Sequence, residues 1–146
     1  MPVVGGLEDV DENEWDRQFA VNVKSMYLTC RECIGHMVEQ GSGVIVNISS
    51  IASIRTISYP CISYAACKGA VNQLTQQIAI QYADQGIRAN SILPGLMHTP
   101  QIEHYVPSGY GGDVDQMIRR RCEMVPMKRM GTAWDVANAA LFLASD

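Results

Sequence analysis

The amino-acid sequence predicts an α/β fold, in which helices flank a sheet of parallel strands. Residues 44–49 are a short, β-branched and largely apolar run, as expected of a strand buried in a parallel sheet, and residues 87–93, between Gly86 and Pro94-Gly95, have the pattern of a second strand. Residues 11–40 and about 63–84 have the three- and four-residue apolar spacing of helices, and one of these segments precedes each strand. This alternation of helix, strand, helix and strand is typical of α/β domains.

The first predicted helix covers residues 11–40. Acidic residues crowd its start, where they suit the positive end of a helix dipole, and Gly41-Ser42-Gly43 ends it. Its apolar residues recur on one face: Trp15, Phe19, Val23, Met26, Tyr27, Cys30, Ile34 and Met37.

The strand at residues 44–49 has no polar alternation until its end, so we expect both of its faces to be buried. A loop from Ser50 to about Pro60 leads into the second helix, whose start is rich in small residues. Gly86 ends that helix, and Pro94-Gly95 ends the second strand.

The last third of the chain is less regular. Residues 96–112 are rich in Pro, Gly, Tyr and His, and we interpret them as a candidate lid. Residues 113–124 are amphipathic, and we interpret the arginines at 119–121 as a solvated helix face. Thr132 and Asp135 have the spacing of a capping box, which predicts the start of a last helix.

Length and composition narrow the classes of function. The chain has 146 residues, of which 47% are apolar, and this predicts one compact domain. Its formal net charge of −4 argues against nucleic acid or anionic lipid as a partner. The amino end does not resemble a secretory signal, and no apolar run approaches the roughly 20 residues of a membrane span, so we expect a cytoplasmic protein. The five cysteines are irregularly spaced, which predicts reduced thiols and no metal site.

Tyr64 and Lys68 are four residues apart on the second predicted helix, so their side chains share one face. An ammonium beside a phenol lowers the tyrosine pKa from its ordinary value near 10, as proton exchange near neutral pH requires. Ser50 follows the first strand, and ligands of open α/β sheets bind at the carboxyl ends of strands. The three side chains together predict proton transfer at a substrate oxygen.

These residues stand in segments that resemble the short-chain dehydrogenase/reductase family, and the resemblance extends along essentially the whole chain. Asn22 resembles the family's helix asparagine, and Val46-Asn-Ile-Ser-Ser50 resembles its serine strand. Tyr64-Ala-Ala-Cys-Lys68 fits its Tyr-x-x-x-Lys motif, although many members have serine in place of Cys67. Arg88-Ala-Asn-Ser-Ile-Leu-Pro-Gly95 fits its Pro-Gly segment.

The resemblance implies an oxidoreductase that transfers a hydride between NAD or NADP and a small-molecule ketone or secondary alcohol. Tyr64 would be the general acid/base, and Ser50 would orient the substrate carbonyl. Lys68 would lower the tyrosine pKa and hold the nicotinamide ribose, and Asn22 would anchor a water in the proton relay. The cofactor-binding residues that the resemblance implies are Tyr64, Lys68, Pro94, Gly95, Met97 and Thr99.

The implied fold is a partial Rossmann-like parallel sheet with flanking helices, the carboxyl-side half of a doubly wound fold. No glycine-rich turn of this sequence stands between a strand and a helix, where the family binds the cofactor pyrophosphate. We therefore expect residues 1–146 to be a single partial domain that lacks the glycine-rich amino-terminal half and the last strand. For the full-length protein the resemblance implies a homo-oligomer, a dimer or a tetramer, with the two long helices paired across an interface.

Two alternatives stay open. A sheet of two strands has exposed edges and marginal stability, so the chain can also be a catalytically silent fragment or a helix-mediated interaction module. The Tyr64–Lys68 pair also occurs in sugar-nucleotide epimerase-like enzymes, although the compact order of helix, strand, Pro-Gly segment and lid argues against them. The choice between NAD and NADP depends on a residue after the second strand of the expected amino-terminal half.

Overall fold

The computed structural model describes residues 4–56, 59–105 and 112–145. The chain divides into two compact units. The first unit comprises Met1–Leu93 and Leu143–Asp146, and the second unit comprises Pro94–Phe142. The two predicted strands and both long helices lie in the first unit.

The first predicted helix is confirmed, but one π-helical turn interrupts it. Helix α1 (Glu12–Phe19) and helix α2 (Ser25–Gln40) are joined by the π-helical residues Ala20–Lys24. Asp11 caps α1, because its Oδ1 accepts a hydrogen bond of 2.8 Å from the Glu14 N–H. Helix α2 ends at Gly41, whose φ of 68° is the left-handed conformation that glycine adopts without strain.

The two predicted strands form a parallel pair, which confirms the α/β fold class. Strand β1 (Gly43–Ile48) pairs in register with strand β2 (Ile87–Ile92), from Gly43 opposite Ile87 to Ile48 opposite Ile92. The carboxyl ends of both strands therefore lie side by side. The ladder continues one residue further, where the Ser49 N–H donates to the Ile92 carbonyl oxygen at 2.8 Å.

Strand β1 is buried on one face rather than on both, contrary to the sequence prediction. Ile45, Asn47 and Ser49 are buried, whereas Ile48 is 37% exposed. The buried side chains alternate along the strand and point to the helices: Ile45 packs with Cys30 of α2 and with the helix that follows β1. The described part of the chain covers this face with helices, and it leaves the face of Ile48 partly open.

Helix α3 (Ile62–Gln81) follows β1 and confirms the second predicted helix. A 3₁₀ turn at Ala83–Gln85 and Gly86 lead from it into β2. A Cβ at Gly86 would collide with the carbonyl oxygen of Gly41, so only glycine fits this close approach of two chain segments. The core between α2, α3 and the strands is formed by Cys30, Ile45 and Ile78, with Ile34, Met37, Leu74, Tyr82 and Ala89 packed around them.

The second unit contains shorter elements. Strand β3 (Met97–His98) pairs with strand β4 (Gly131–Thr132), so the candidate lid is more regular than the sequence predicts. Its helices are α4 (Pro100–Tyr105), α5 (Val114–Met124) and α6 (Ala133–Ala144), the last of which begins in this unit. Residues 106–111 of the candidate lid lie outside the described residues.

The Thr132–Asp135 contact predicted at the start of α6 is confirmed in the direction in which Asp135 accepts, and the solvated arginine face of α5 is only partly correct. The Asp135 carboxylate accepts hydrogen bonds from Thr132, from the backbone N–H at 2.6 Å and from the hydroxyl at 2.9 Å. Arg119 and Arg120 are exposed, but Arg121 is only 5% exposed. Three successive residues point in different directions around a helix, and the third of these side chains lies on the buried side.

All five cysteines are unpaired thiols, as the spacing predicts. Within the described residues, no three His, Cys, Asp or Glu side chains are arranged so that they could hold a metal ion. In the same residues, no helix is both long enough and apolar enough to cross a membrane.

Candidate active site

The carboxyl end of β1 and the first half of α3 bring Ser50, Tyr64 and Lys68 into one site. Ser50 directly follows the strand and begins a 3₁₀ turn, where its Oγ accepts a hydrogen bond of 3.2 Å from the Ala52 N–H. The Ser50 side chain also lies beside that of Tyr64, near enough for hydrogen bonding to lower the tyrosine pKa. The serine and the tyrosine that the sequence singled out are therefore neighbours in one site.

The phenol of Tyr64 lies in a partly buried position on α3. Burial raises the pKa of Tyr64 above its ordinary value, because the low-dielectric surroundings disfavour the phenolate. The hydrogen bond from Ser50 acts in the opposite direction, because it stabilises the phenolate. Burial is the larger of the two effects, so Tyr64 holds its proton more firmly than a free tyrosine does.

Lys68 lies one turn after Tyr64, and the residue is only 8% exposed. Its Nζ donates a hydrogen bond of 3.0 Å to the carbonyl oxygen of Ile48 and lies 5.6 Å from the centroid of the Tyr64 ring. Burial lowers the pKa of the Lys68 ammonium, because it disfavours the charged form. Lys68 thus has the position that the sequence predicts, directed toward the end of β1.

The expected lowering of the Tyr64 pKa by Lys68 is not what the structure shows. The pKa of Tyr64 is raised by burial, and the hydrogen bond from Ser50 is the main effect that lowers it. The i, i+4 spacing places the two side chains on one face, as predicted. The Lys68 ammonium donates to the Ile48 carbonyl oxygen instead. The spacing of residues along one helix cannot predict this acceptor, because it lies on another element.

Asn22 lies in the π-helical turn, and this turn packs against α3. The Asn22 side-chain N–H₂ donates to the backbone oxygen of Gln18 at 3.0 Å and to its Oε1 at 3.1 Å. Gln18 is buried. Single π-helical turns within α-helices are frequent at functional sites, and the sequence periodicity gave no sign of this one.

The other four predicted cofactor-binding residues lie in the second unit. Pro94 and Gly95 follow β2 directly, Met97 is the first residue of β3, and Thr99 lies between β3 and α4. The Thr99 carbonyl oxygen accepts a hydrogen bond of 2.9 Å from the Ile102 N–H. These residues lie in the segment that the sequence places after the second strand.

Sequence reasoning missed a set of buried polar contacts behind the site. Asn47 donates to the Thr75 hydroxyl at 2.9 Å, which links β1 to α3. Ser49 donates to the backbone oxygen of Lys68 at 2.9 Å. The signal in the sequence was the appearance of the polar residues Asn47 and Ser49 at the end of an otherwise apolar strand.

Cys67 stands beside Lys68 but has no access to solvent. Its exposed fraction is 0%, and burial raises the pKa of its thiol. A thiolate is the reactive form of cysteine, so both effects make this thiol inert in the folded chain.

The arrangement can exchange a proton with an oxygen atom that binds near Ser50 and Tyr64. Both hydroxyls can donate to or accept from such an atom. The donors also fit the ribose of a nicotinamide cofactor. The Lys68 ammonium carries three hydrogens, and one of them is bound to the Ile48 oxygen, so two remain for the hydroxyls of a sugar.

The chain is similar to known dehydrogenases. It is 39% identical over 143 residues to 2-(R)-hydroxypropyl-CoM dehydrogenase of Xanthobacter autotrophicus, covering 97% of this chain and 54% of that protein. A solved structure assigned to the short-chain dehydrogenases/reductases, from Burkholderia xenovorans, superposes with a TM-score of 0.93 at 40% identity, covering 100% of this chain and 55% of that one. The NADP-bound structure of ElxO superposes with a TM-score of 0.88 at 29% identity, covering 100% of this chain and 57% of that one.

The chain spans about half the length of the curated relatives it matches. The family model described as Enoyl-(Acyl carrier protein) reductase matches residues 2–146. The superposition confirms the partial Rossmann-like fold, and the match extends over nearly every residue. The chain therefore belongs to the short-chain dehydrogenase/reductase family.

Proposed function

We propose that this chain is the catalytic half of an oxidoreductase that transfers a hydride between NAD or NADP and a small-molecule ketone or secondary alcohol. The observation that carries the proposal is that Ser50, at the carboxyl end of β1, lies beside Tyr64, and that the buried Lys68 ammonium lies 5.6 Å from the centroid of the tyrosine ring. These are a phenol, a hydroxyl and a cation in one partly buried site, which is the set that carbonyl reduction needs.

In the proposed reaction, the bound nicotinamide supplies or accepts the hydride. Ser50 donates a hydrogen bond to the substrate oxygen and fixes its position. Tyr64 gives its proton to that oxygen during reduction and takes it back during oxidation. A raised Tyr64 pKa keeps the phenol protonated at neutral pH, which suits its role as the acid in reduction. Lys68 would hold the nicotinamide ribose, and Asn22 would anchor a water of the proton relay.

We also propose that residues 1–146 form a single partial domain, and that a further segment of the protein supplies the glycine-rich pyrophosphate site and the last strand. The half-length match to the relatives supports this proposal. Pro94, Gly95, Met97 and Thr99 would contact the cofactor from the segment that follows β2. The NADP-bound relative supports a nicotinamide cofactor without deciding between NAD and NADP.

The full-length protein would be a cytoplasmic homo-oligomer, a dimer or a tetramer, in which the long helices pair across an interface. Exposed apolar side chains on α2, including Tyr27, Leu28 and Val38, support the pairing of this helix with another surface. Sedimentation of the full-length protein as a monomer would contradict this part of the proposal.

The test of the chemistry is Tyr64→Phe in the full-length gene product. Turnover of NAD(P)H with a ketone is expected to fall by roughly 10²–10⁴-fold, because the proton donor is lost while the ring still packs. Tyr82→Phe is the control, because Tyr82 follows the last residue of the same helix and its hydroxyl contacts only Gln81 at 3.3 Å in the described chain. Equal turnover in Tyr64→Phe and Tyr82→Phe would refute the proposed role.

The half-length match also favours a second possibility, that the 146-residue chain is silent by itself or serves as a helix-mediated interaction module. Calorimetric titration of NAD and NADP into this chain separates the two. Because the pyrophosphate site would lie outside residues 1–146, no binding or weak binding is expected. Tight binding would contradict the second possibility, because it would show that residues 1–146 hold a nicotinamide cofactor without a further segment.

A further inference from the structure

Two consecutive residues at the end of β1 hold Lys68 from both sides. The carbonyl oxygen of Ile48 accepts a hydrogen bond of 3.0 Å from the Lys68 Nζ. The hydroxyl of Ser49 donates a hydrogen bond of 2.9 Å to the backbone oxygen of Lys68. The next residue, Ser50, lies beside Tyr64 and lowers its pKa. Three adjacent positions at the end of β1 therefore lie next to the two functional residues of α3.

Ser49 is itself fixed in place. It is only 3% exposed, and its backbone N–H donates to the Ile92 oxygen at 2.8 Å, which ties it to β2. Its side chain points to the opposite side from that of Ser50, since successive side chains of an extended strand alternate. The Ser49 hydroxyl therefore connects the two-stranded sheet to α3 at Lys68.

The bond from Ser49 is not needed to complete the helix. Lys68 lies in the interior of α3, where its carbonyl oxygen accepts the ordinary helical hydrogen bond and has a second lone pair for the serine. A buried hydroxyl that adds a bond at this point fixes how far α3 is shifted and rotated relative to β1. The Ser50–Tyr64 contact depends on that position, because one partner lies on each element.

We propose that Ser49 is a positioning residue, which holds Lys68 and Tyr64 on α3 in register with Ser50 at the end of β1. This inference rests on the proposed function, because it assigns Ser49 a role in that reaction. It does not make Ser49 a group that touches the substrate. Loss of its hydroxyl would leave the helix and the strand formed, and would loosen their alignment.

The test compares Ser49→Ala with Ser63→Ala in the full-length protein. Ser63 is the matched control, because it is a fully buried serine of α3 whose Oγ has no partner among the described residues. In Ser49→Ala, kcat is expected to fall about tenfold, as for the loss of one positioning hydrogen bond, with KM changed less than about twofold. Ser63→Ala should keep the wild-type kcat, and Ser49→Thr, which restores a hydroxyl, should recover most of it.

The pH profile provides the readout that a merely structural role would not change. If the Ser50–Tyr64 hydrogen bond weakens, the apparent pKa that Tyr64 contributes to the profile of kcat should rise in Ser49→Ala, since that bond favours the phenolate. A wild-type kcat and profile in Ser49→Ala would overturn the inference. An equal loss of kcat in Ser63→Ala would overturn it too.

Failure of the proposed function is distinguishable from failure of this inference. If the wild-type protein shows no turnover with NAD(P), the proposed function falls, and the Tyr64 phenol can still be titrated by NMR of ring-labelled tyrosine, assigned with Tyr64→Phe. A higher Tyr64 pKa in Ser49→Ala would then support the alignment, and an unchanged titration would overturn it.

Discussion

Among the described residues, each of the two units buries one cationic side chain, and the two cations differ in their hydrogen bonding. Lys68 of the first unit is 8% exposed and has an acceptor, the Ile48 carbonyl oxygen at 3.0 Å. Arg121 of the second unit is 5% exposed, and its Nε has no hydrogen-bond partner within the described ranges. The end of β1 thus provides an acceptor for the Lys68 ammonium, whereas no acceptor for the Arg121 Nε is found among the described residues.

The difference reflects how each unit is built. The first unit has two six-residue strands and long helices, so a strand end can be held at a fixed distance from a helix. The second unit has two-residue strands and shorter helices. Chemistry that needs fixed distances is therefore expected in the first unit, and easier local opening in the second.

The largest expected effect concerns thiol protection. Cys67 of the first unit is fully buried, whereas Cys122 of the second unit is partly exposed. Under native conditions, a thiol reagent should modify Cys122 at least about 100-fold faster than Cys67, because Cys67 reacts only after the first unit opens. Mass spectrometry of quenched samples measures both rates. Cys33, which is exposed on α2, is the control for unhindered reaction.

Equal rates at Cys67 and Cys122 would break the comparison, because the first unit would then give its buried thiol no protection. If Cys122 were modified while Cys67 stayed intact, the first unit would be shown to protect Cys67 from the reagent.

The next effect is the gain in stability on removal of the buried Arg121 cation, whose Nε has no hydrogen-bond partner within the described residues. Arg121→Met replaces a buried guanidinium by an apolar side chain and should raise the free energy of unfolding by about 1–3 kcal/mol. Amide hydrogen exchange in α5 measures this gain, because it follows opening of that helix. Arg119→Met is the control, since Arg119 is exposed on the same helix. Faster exchange in Arg121→Met would mean that the guanidinium has a stabilising partner.

The smallest expected effect on the free energy of unfolding concerns Lys68, the buried cation that has an acceptor. Lys68→Met should abolish the proposed activity and raise the free energy of unfolding by only about 1 kcal/mol at pH 7, because the gain from removing a buried charge is offset by loss of the bond to Ile48. Urea unfolding measures it. Lys24→Met, a change at an exposed lysine, should have no effect. A larger gain for Lys68→Met than for Arg121→Met would contradict the comparison.

The gain in the free energy of unfolding expected for Lys68→Met should change with pH in one direction. The folded-state pKa of Lys68 lies below its unfolded value, so the wild-type chain is stabilised above the unfolded pKa of about 10.4 and loses that stability as pH falls through the lower, folded value. The advantage of Lys68→Met should therefore shrink as pH rises from 7 toward 10. An advantage that grew with pH would show that burial does not disfavour the ammonium.

The sequence determined most of the local structure. Helices 11–40 and 63–84 and both strands were predicted within a few residues, because apolar periodicity and end signals such as Gly41 and Gly86 act over short distances. The placement of Ser50, Tyr64 and Lys68 at one site followed from the i, i+4 spacing and from the order of strand and helix. Their catalytic roles stay predictions, to be tested by the substitutions above.

Only the tertiary structure decided the features that depend on residues far apart in the chain. It placed the Lys68 ammonium on the Ile48 oxygen, raised the Tyr64 pKa by burial, and gave Ser49 its partner across 19 residues. It also left the Ile48 face of β1 partly open and buried Arg121. Burial and hydrogen-bond partners depend on which segments pack together, whereas sequence periodicity reports only which face of an element is apolar.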